Sequence, residues 1–192
     1  MKICFDIYYF DVEKYAFKVE FPKRTGTIIL DGNTTQNEIG VFIGSLLEFN
    51  ELALDSEFIS ALYLSEEIAL GGGALFEKNG VSIKPSCCAD FQDWKDVIEG
   101  LPQHKSNWMG HDPSPTFIFN GDQITLWSDE PANEKAISIE FSQTEVSDLI
   151  LSAKKDLTDF LRNVEIWASN FYKENPQSLV NGIREYVLLN ES

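Results

Sequence analysis

The sequence is short of the residues from which metal sites and nucleophiles are most often built. It has three cysteines and two histidines in 192 residues. An odd, small number of cysteines does not make a disulfide framework. No Cys-x-x-Cys pair occurs, so the spacing usual in structural zinc sites is missing. No apolar run reaches the roughly 18–20 residues that span a bilayer. The short apolar stretch after Lys2 is broken by Asp6 and Asp11, and no small-residue cleavage site follows it. A cytoplasmic, reduced protein is the expectation. Gly71-Gly72-Gly73 lacks both the lysine of a phosphate-binding loop and the spaced glycines of a dinucleotide fingerprint, and no spaced-Asp calcium loop is present. We therefore expect no cofactor and no metal.

Basic residues are scarce as well. Fifteen Lys and Arg stand against 31 Asp and Glu, for a formal net charge of −16. A field of that sign repels nucleic-acid phosphates and anionic membrane, and attracts basic proteins. The imbalance is concentrated. Residues 25–77 hold Asp31, Glu38, Glu48, Glu51, Asp55, Glu57, Glu66, Glu67 and Glu77 without one Lys or Arg. Residues 106–134 hold Asp112, Asp122, Asp129, Glu130 and Glu134, again without a base. Such blocks read either as solvated surface or as a face that a cationic partner covers.

What the sequence does have is 43% hydrophobic and 12% aromatic residues, enough to build a core. Ile3, Phe5, Ile7 and Tyr9 alternate with polar positions, as do Tyr15, Phe17, Val19 and Phe21, which predicts two strands joined as a hairpin near Asp11. A third strand is expected over Thr27 to Leu30, ending at Asp31-Gly32-Asn33. Thr35 with Glu38, and Ser142 with Glu145, have capping-box spacing. Each precedes apolar residues at three and four, predicting a helix after Thr35 and a long one over about 143–172. The stretch 52–70 fits a helix capped by Asp55 or a strand. "LFEKNGVSI" and "TFIFNGDQITLW" read as hairpins through Asn79-Gly80 and Asn120-Gly121. "AISIEF" is a further strand, with Ile137, Ile139 and Phe141 on one face, and Asn175-Pro176 opens a last helix. Strands that pair locally, followed by blocks of helix, predict an α+β fold: a mainly antiparallel sheet of hairpins packed by amphipathic helices. We expect one domain over 1–192, with Gly71–Gly73 as a flexible joint between two lobes.

Two runs stand apart. "SIKPSCCADFQDW" places Cys87 beside Cys88, before a helix marked by Phe91, Trp94, Val97, Ile98 and Leu101. A helix N-terminus can activate a thiol, but Asp90 and Asp93 oppose that. Neighbouring side chains in extended chain point to opposite sides, so one cysteine is expected to be buried. Adjacent cysteines also chelate poorly, which weakens a metal set of Cys87, Cys88, His104 and His111. "WMGHDPSP" gathers Trp108, His111 and Asp112. It reads as a structured loop, as a partner-binding loop, or as a base with its orienter.

The runs "KPSCCADFQDW", "WMGHDPSP" and "ITLWSDE", within positions 71 to 130, resemble an uncharacterised group of acidic bacterial proteins. In size, charge and lack of catalytic motifs the chain also resembles the immunity proteins of toxin systems. That resemblance implies an immunity-like module that occludes a basic toxin or nuclease domain. The resemblance supplies no contact residue; from the base-free blocks the carboxylates would be Glu48, Glu51, Asp55, Glu57, Glu66 and Glu67, with Trp108 and Trp127 as anchors. Two alternatives stay open: a hydrolase using Cys87 or Cys88 with His111 and Asp112, and a non-catalytic housekeeping domain.

Overall fold

In the computed structural model the chain is α+β, and its described residues form five α-helices and two antiparallel sheets. The structure describes residues 1–22, 26–64 and 68–188. Two compact units emerge: the first from Met1–Cys4 and Gly71–Lys154, the second from Phe5–Leu70 and Lys155–Ser192. Strand β1 (Lys2–Asp6) and helix α4 (Gln143–Phe171) each contribute to both.

In the first unit, β3 (Gly72–Lys78) lies beside the Lys2–Cys4 half of β1, and β4 (Val81–Ile83) lies beside β3. Lys78 pairs with Val81, so Asn79 and Gly80 form the two-residue turn, both with positive φ (52° and 79°) as a type I′ turn needs. After helix α3 (Asp93–Gly100) come β5 (Thr116–Asn120), β6 (Gln123–Trp127) and β7 (Ser138–Ser142), paired in chain order. Asn120 faces Gln123, so the turn is Gly121-Asp122, one residue later than the sequence suggests. Gly121 takes the positive φ of 58° that a Cβ would resist. Phe117, Ile124, Leu126, Ile139 and Phe141 face inward, and Ile137 stays exposed. The predicted joint at Gly71–Gly73 is mostly strand: Gly72 and Gly73 open β3. A Cβ on Gly73 would come within 2.9 Å of the Pro85 ring. Close approach of the chain accounts for Gly73, and the boundary between the two units falls at Leu70–Gly71.

The second unit holds β2 (Thr27–Ile29), α1 (Gln36–Phe49), α2 (Ser56–Tyr63) and α5 (Pro176–Val187). The Thr35–Glu38 capping box forms as predicted, and Asp55 caps α2 by accepting from the Glu57 and Phe58 amides. The long helix α4 starts on the Ser142–Glu145 box. Its 160–168 stretch buries Phe160, Leu161, Val164, Trp167 and Ala168. The hairpin through Asp11 does not form. β1 stops at Asp6, Val12–Lys14 is a 3-10 turn, and Tyr15 to Phe21 has no strand pairing. The alternating aromatics serve helix packing instead: Phe17 meets Trp167 edge-on at 5.0 Å and stacks on Tyr15 at 5.4 Å. Ring burial imitated strand periodicity.

Candidate functional site

Two surface features gather polar side chains, one in each unit. In the second unit, the chain after β1 lies along α1. The Ser45 hydroxyl, wholly buried, donates to the Tyr8 carbonyl at 3.0 Å and accepts from its amide at 3.3 Å. At Gly44 a Cβ would come within 2.1 Å of the Phe10 ring, so only glycine lets Phe10 seat there. This clamp turns Tyr8 outward against Phe49, edge to face at 5.1 Å, with 44% and 45% of the two residues exposed. Tyr9 is half exposed and contacts Phe21.

Helix α1 ends beside this pair. The Glu51 amide bonds to the Glu48 carbonyl and the Leu52 amide to the Leu47 carbonyl, at 3.2 and 2.9 Å. That is the Schellman arrangement, whose left-handed position normally goes to glycine. Here it is held by Glu51 at φ 55°. Glu51, Asp55 and Glu57 are exposed. Among the described residues no Lys or Arg forms an ion pair with them. Glu48 differs from the other predicted contact residues. Lys14 Nζ and the Tyr15 hydroxyl hold its Oε2 at 2.7 and 3.0 Å and lower its pKa. It is spoken for within the chain. Glu66 and Glu67 lie outside the described residues.

The predicted anchors Trp108 and Trp127 belong to the first unit, whereas these carboxylates belong to the second. Trp127 is half-buried on β6, opposite Thr116 and Ser138. Trp108 is 50% exposed, and its ring centre lies 5.7 Å from that of His111. Tyr8 and Phe49 are the aromatics that accompany the acidic helix ends. Sequence reading missed them because strand alternation assigned Tyr9 to the buried face and a helical stripe left Phe49 unremarked.

The other feature is a corner of the first unit where residues 86–88 meet 109–113. The Ser86 amide donates to Met109 O at 2.9 Å and the His111 amide to Cys87 O at 3.2 Å. The Ser86 hydroxyl donates to Pro113 O at 2.5 Å. Gly110, at φ 98°, is required, since a Cβ would lie 2.5 Å from Ser86 Oγ and 2.7 Å from Cys87 O. Cys87, Cys88 and His111 are all exposed, and their donor atoms lie within 4.8 Å of one another. Neither cysteine is buried, contrary to expectation; Cys4 is the buried thiol. The reason is local. Cys88 adopts a left-handed φ of 65°, so the strict alternation of an extended segment does not apply. Nor do the cysteines sit at a helix N-terminus, since α3 begins at Asp93. His104 is elsewhere, stacked on Phe119 at 5.3 Å.

The electrostatics of this corner oppose activation of Cys87. Partial desolvation, then the Cys88 thiol, then the Asp112 carboxylate push the Cys87 pKa up. The Cys87 Sγ–H donates to His111 O at 2.6 Å, which aims its proton at a carbonyl and not at the imidazole. An activated cysteine shows the opposite shift.

No protein-family model, curated protein or solved structure matches the chain. Among the described residues, no helix is long and apolar enough to cross a membrane.

Proposed function

We propose that the protein is an acidic protein-binding module, an immunity-like factor of a bacterial toxin system that occludes a basic toxin or nuclease domain. The observation that carries this reading is Glu51. It occupies a left-handed position where glycine would be more stable, and it presents its carboxylate to solvent. A strained residue retained at the surface is reasonable grounds for a functional hypothesis. Asp55 and Glu57 follow it in the chain and are also exposed, and Tyr8 and Phe49, the last residue of α1, form an exposed aromatic pair. Exposed aromatic anchors together with exposed carboxylates suit a partner whose lysines and arginines normally hold phosphate. Blocking those cations would suffice for inhibition, with no chemistry required of this chain.

The test is capture from native cytosol at low and moderate salt by three immobilised proteins: wild type, the Glu51→Lys/Glu57→Lys double variant, and Tyr8→Ala/Phe49→Ala. Basic proteins held by wild type and released by both variants support the reading. Once one is purified, its affinity for the charge-reversed protein should fall at least tenfold, mainly through a slower association rate. Equal retention by all three proteins would end the proposal.

A second reading, a thiol-dependent hydrolase using Cys87 or Cys88 with His111 and Asp112, is favoured by the convergence of Cys87, Cys88 and His111. The raised pKa of Cys87 weighs against it. Hydrolysis of activated esters that disappears in Cys87→Ser, Cys88→Ser and His111→Ala alike would support it.

A further inference from the structure

Two thiols and an imidazole on one exposed corner are an unusual use of a chain so poor in both residues. Five such side chains exist in the whole sequence, three cysteines and two histidines. Three of them meet here, from segments more than twenty residues apart in sequence. The meeting is fixed by backbone, through the Cys87–His111 bridge, the Ser86 bonds and the Gly110 passage already described. The donors are therefore arranged before any ligand arrives.

We propose that Cys87, Cys88 and His111 bind one borderline-soft divalent ion, zinc, with the fourth coordination position open to solvent. Chemistry selects that class of ion. Thiolate sulfur and imidazole nitrogen favour zinc and related soft metals over calcium or magnesium, which take oxygen ligands. Geometry allows it. Zinc–sulfur bonds of about 2.3 Å and zinc–nitrogen bonds of about 2.0 Å place tetrahedral donors about 3.5–3.8 Å apart. The three donors already lie within 4.8 Å of one another, and the side chains are exposed and free to close the remainder by rotation. The usual objection to neighbouring cysteines is that their side chains diverge. It is answered by the left-handed turn at Cys88. On binding, Cys87 gives up its hydrogen bond to His111 O, and both thiol protons pass to the buffer. Three protein ligands with an open position is the arrangement that leaves zinc able to take a water or a further ligand. The Trp108 ring beside His111 walls the imidazole on one side.

The experiment uses the full chain, reduced and stripped of metal, titrated with cobalt(II) and then with zinc(II) in competition with a chromophoric chelator. One equivalent of cobalt should give the intense visible bands of tetrahedral sulfur coordination, and zinc should erase them. Cys87→Ser, Cys88→Ser and His111→Ala should each weaken zinc binding at least tenfold, while His104→Ala should leave it unchanged. Circular dichroism checks that each variant is folded. An independent measurement on wild type is alkylation followed by mass spectrometry. Zinc should protect Cys87 and Cys88, with buried Cys4 slow throughout. Absence of one-to-one binding by wild type overturns the proposal. So do equal zinc affinity in the Cys88→Ser and His111→Ala variants, and thiols alkylated at the same rate with and without zinc.

Discussion

The corner at Cys87 and the acidic ends of α1 and α2 both present polar side chains to solvent, but they are held in different ways. At the corner the main chain does the holding: amides, carbonyls and one obligatory glycine position the donors. At the helix ends the backbone is fixed by caps, while the carboxylates of Glu51 and Glu57 project without a counter-ion among the described residues. The first arrangement selects a ligand by distance and angle. The second selects by charge and tolerates variation in the partner's shape. A short-range site of the first kind is insensitive to salt, whereas the second weakens once the screening length falls to about 8–10 Å.

The contrast breaks most completely at Gly110. Gly110→Ala adds a Cβ that collides with Ser86 Oγ and Cys87 O at a φ that L-residues avoid. We expect a loss of about 3 kcal/mol in stability, measured by urea unfolding, and zinc binding abolished with it. The acidic helix ends sharpen it from the other side. Glu51→Gly removes a side chain from a left-handed position, so stability should rise by about 1 kcal/mol while affinity for the basic partner falls. A variant that gains in unfolding experiments and loses in titration would separate function from folding at one residue.

A third carboxylate serves as reference. Glu145 is fully matched: Lys78 Nζ lies 2.6 Å from its Oε1, and the Ser142 amide donates to its Oε2 at 2.8 Å. Ser142→Ala should cost about 1 kcal/mol through loss of the cap on α4 and leave partner and zinc binding unchanged. The smallest expected effect is the pH dependence of Glu145. The Lys78 ammonium, then the Ser142 amide, lower its pKa from 4.5 to about 2. A carboxylate with a depressed folded-state pKa contributes stability above its unfolded pKa and loses it as pH falls through the folded one. The wild-type advantage over Glu145→Gln should therefore be constant above pH 5, shrink between about pH 4.5 and 2, and vanish below. Parallel urea midpoints across that range would refute the pairing.

Much of the fold could be read from local chemistry. Both capping boxes, the Asn79-Gly80 turn and the long C-terminal helix depend on neighbours within a few positions, and the sequence shows those directly, whereas the helix capped by Asp55 is one of two readings. What it concealed is non-local or conformational. Tyr15 to Phe21 alternates like a strand because its rings pack on Trp167 and on one another. The union of Cys87 with His111 is among the alternatives the sequence leaves open, because it spans more than twenty residues and local pattern cannot decide it. The left-handed states of Cys88 and Glu51 occur at residue types that give no hint of them. Carboxylate blocks were visible in the sequence, but their fate was not, since Glu48 is engaged by Lys14 and Glu51 by nothing comparable.

The sharing of β1 between the two units has a consequence for synthesis. Met1–Cys4 are translated well before the segment they join, which starts only at Gly71, where Gly73 O accepts from the Cys4 thiol. Those four residues cannot join that segment until everything through Leu70 has been translated. Neither unit can be completed by a ribosome that has finished only the other's first stretch.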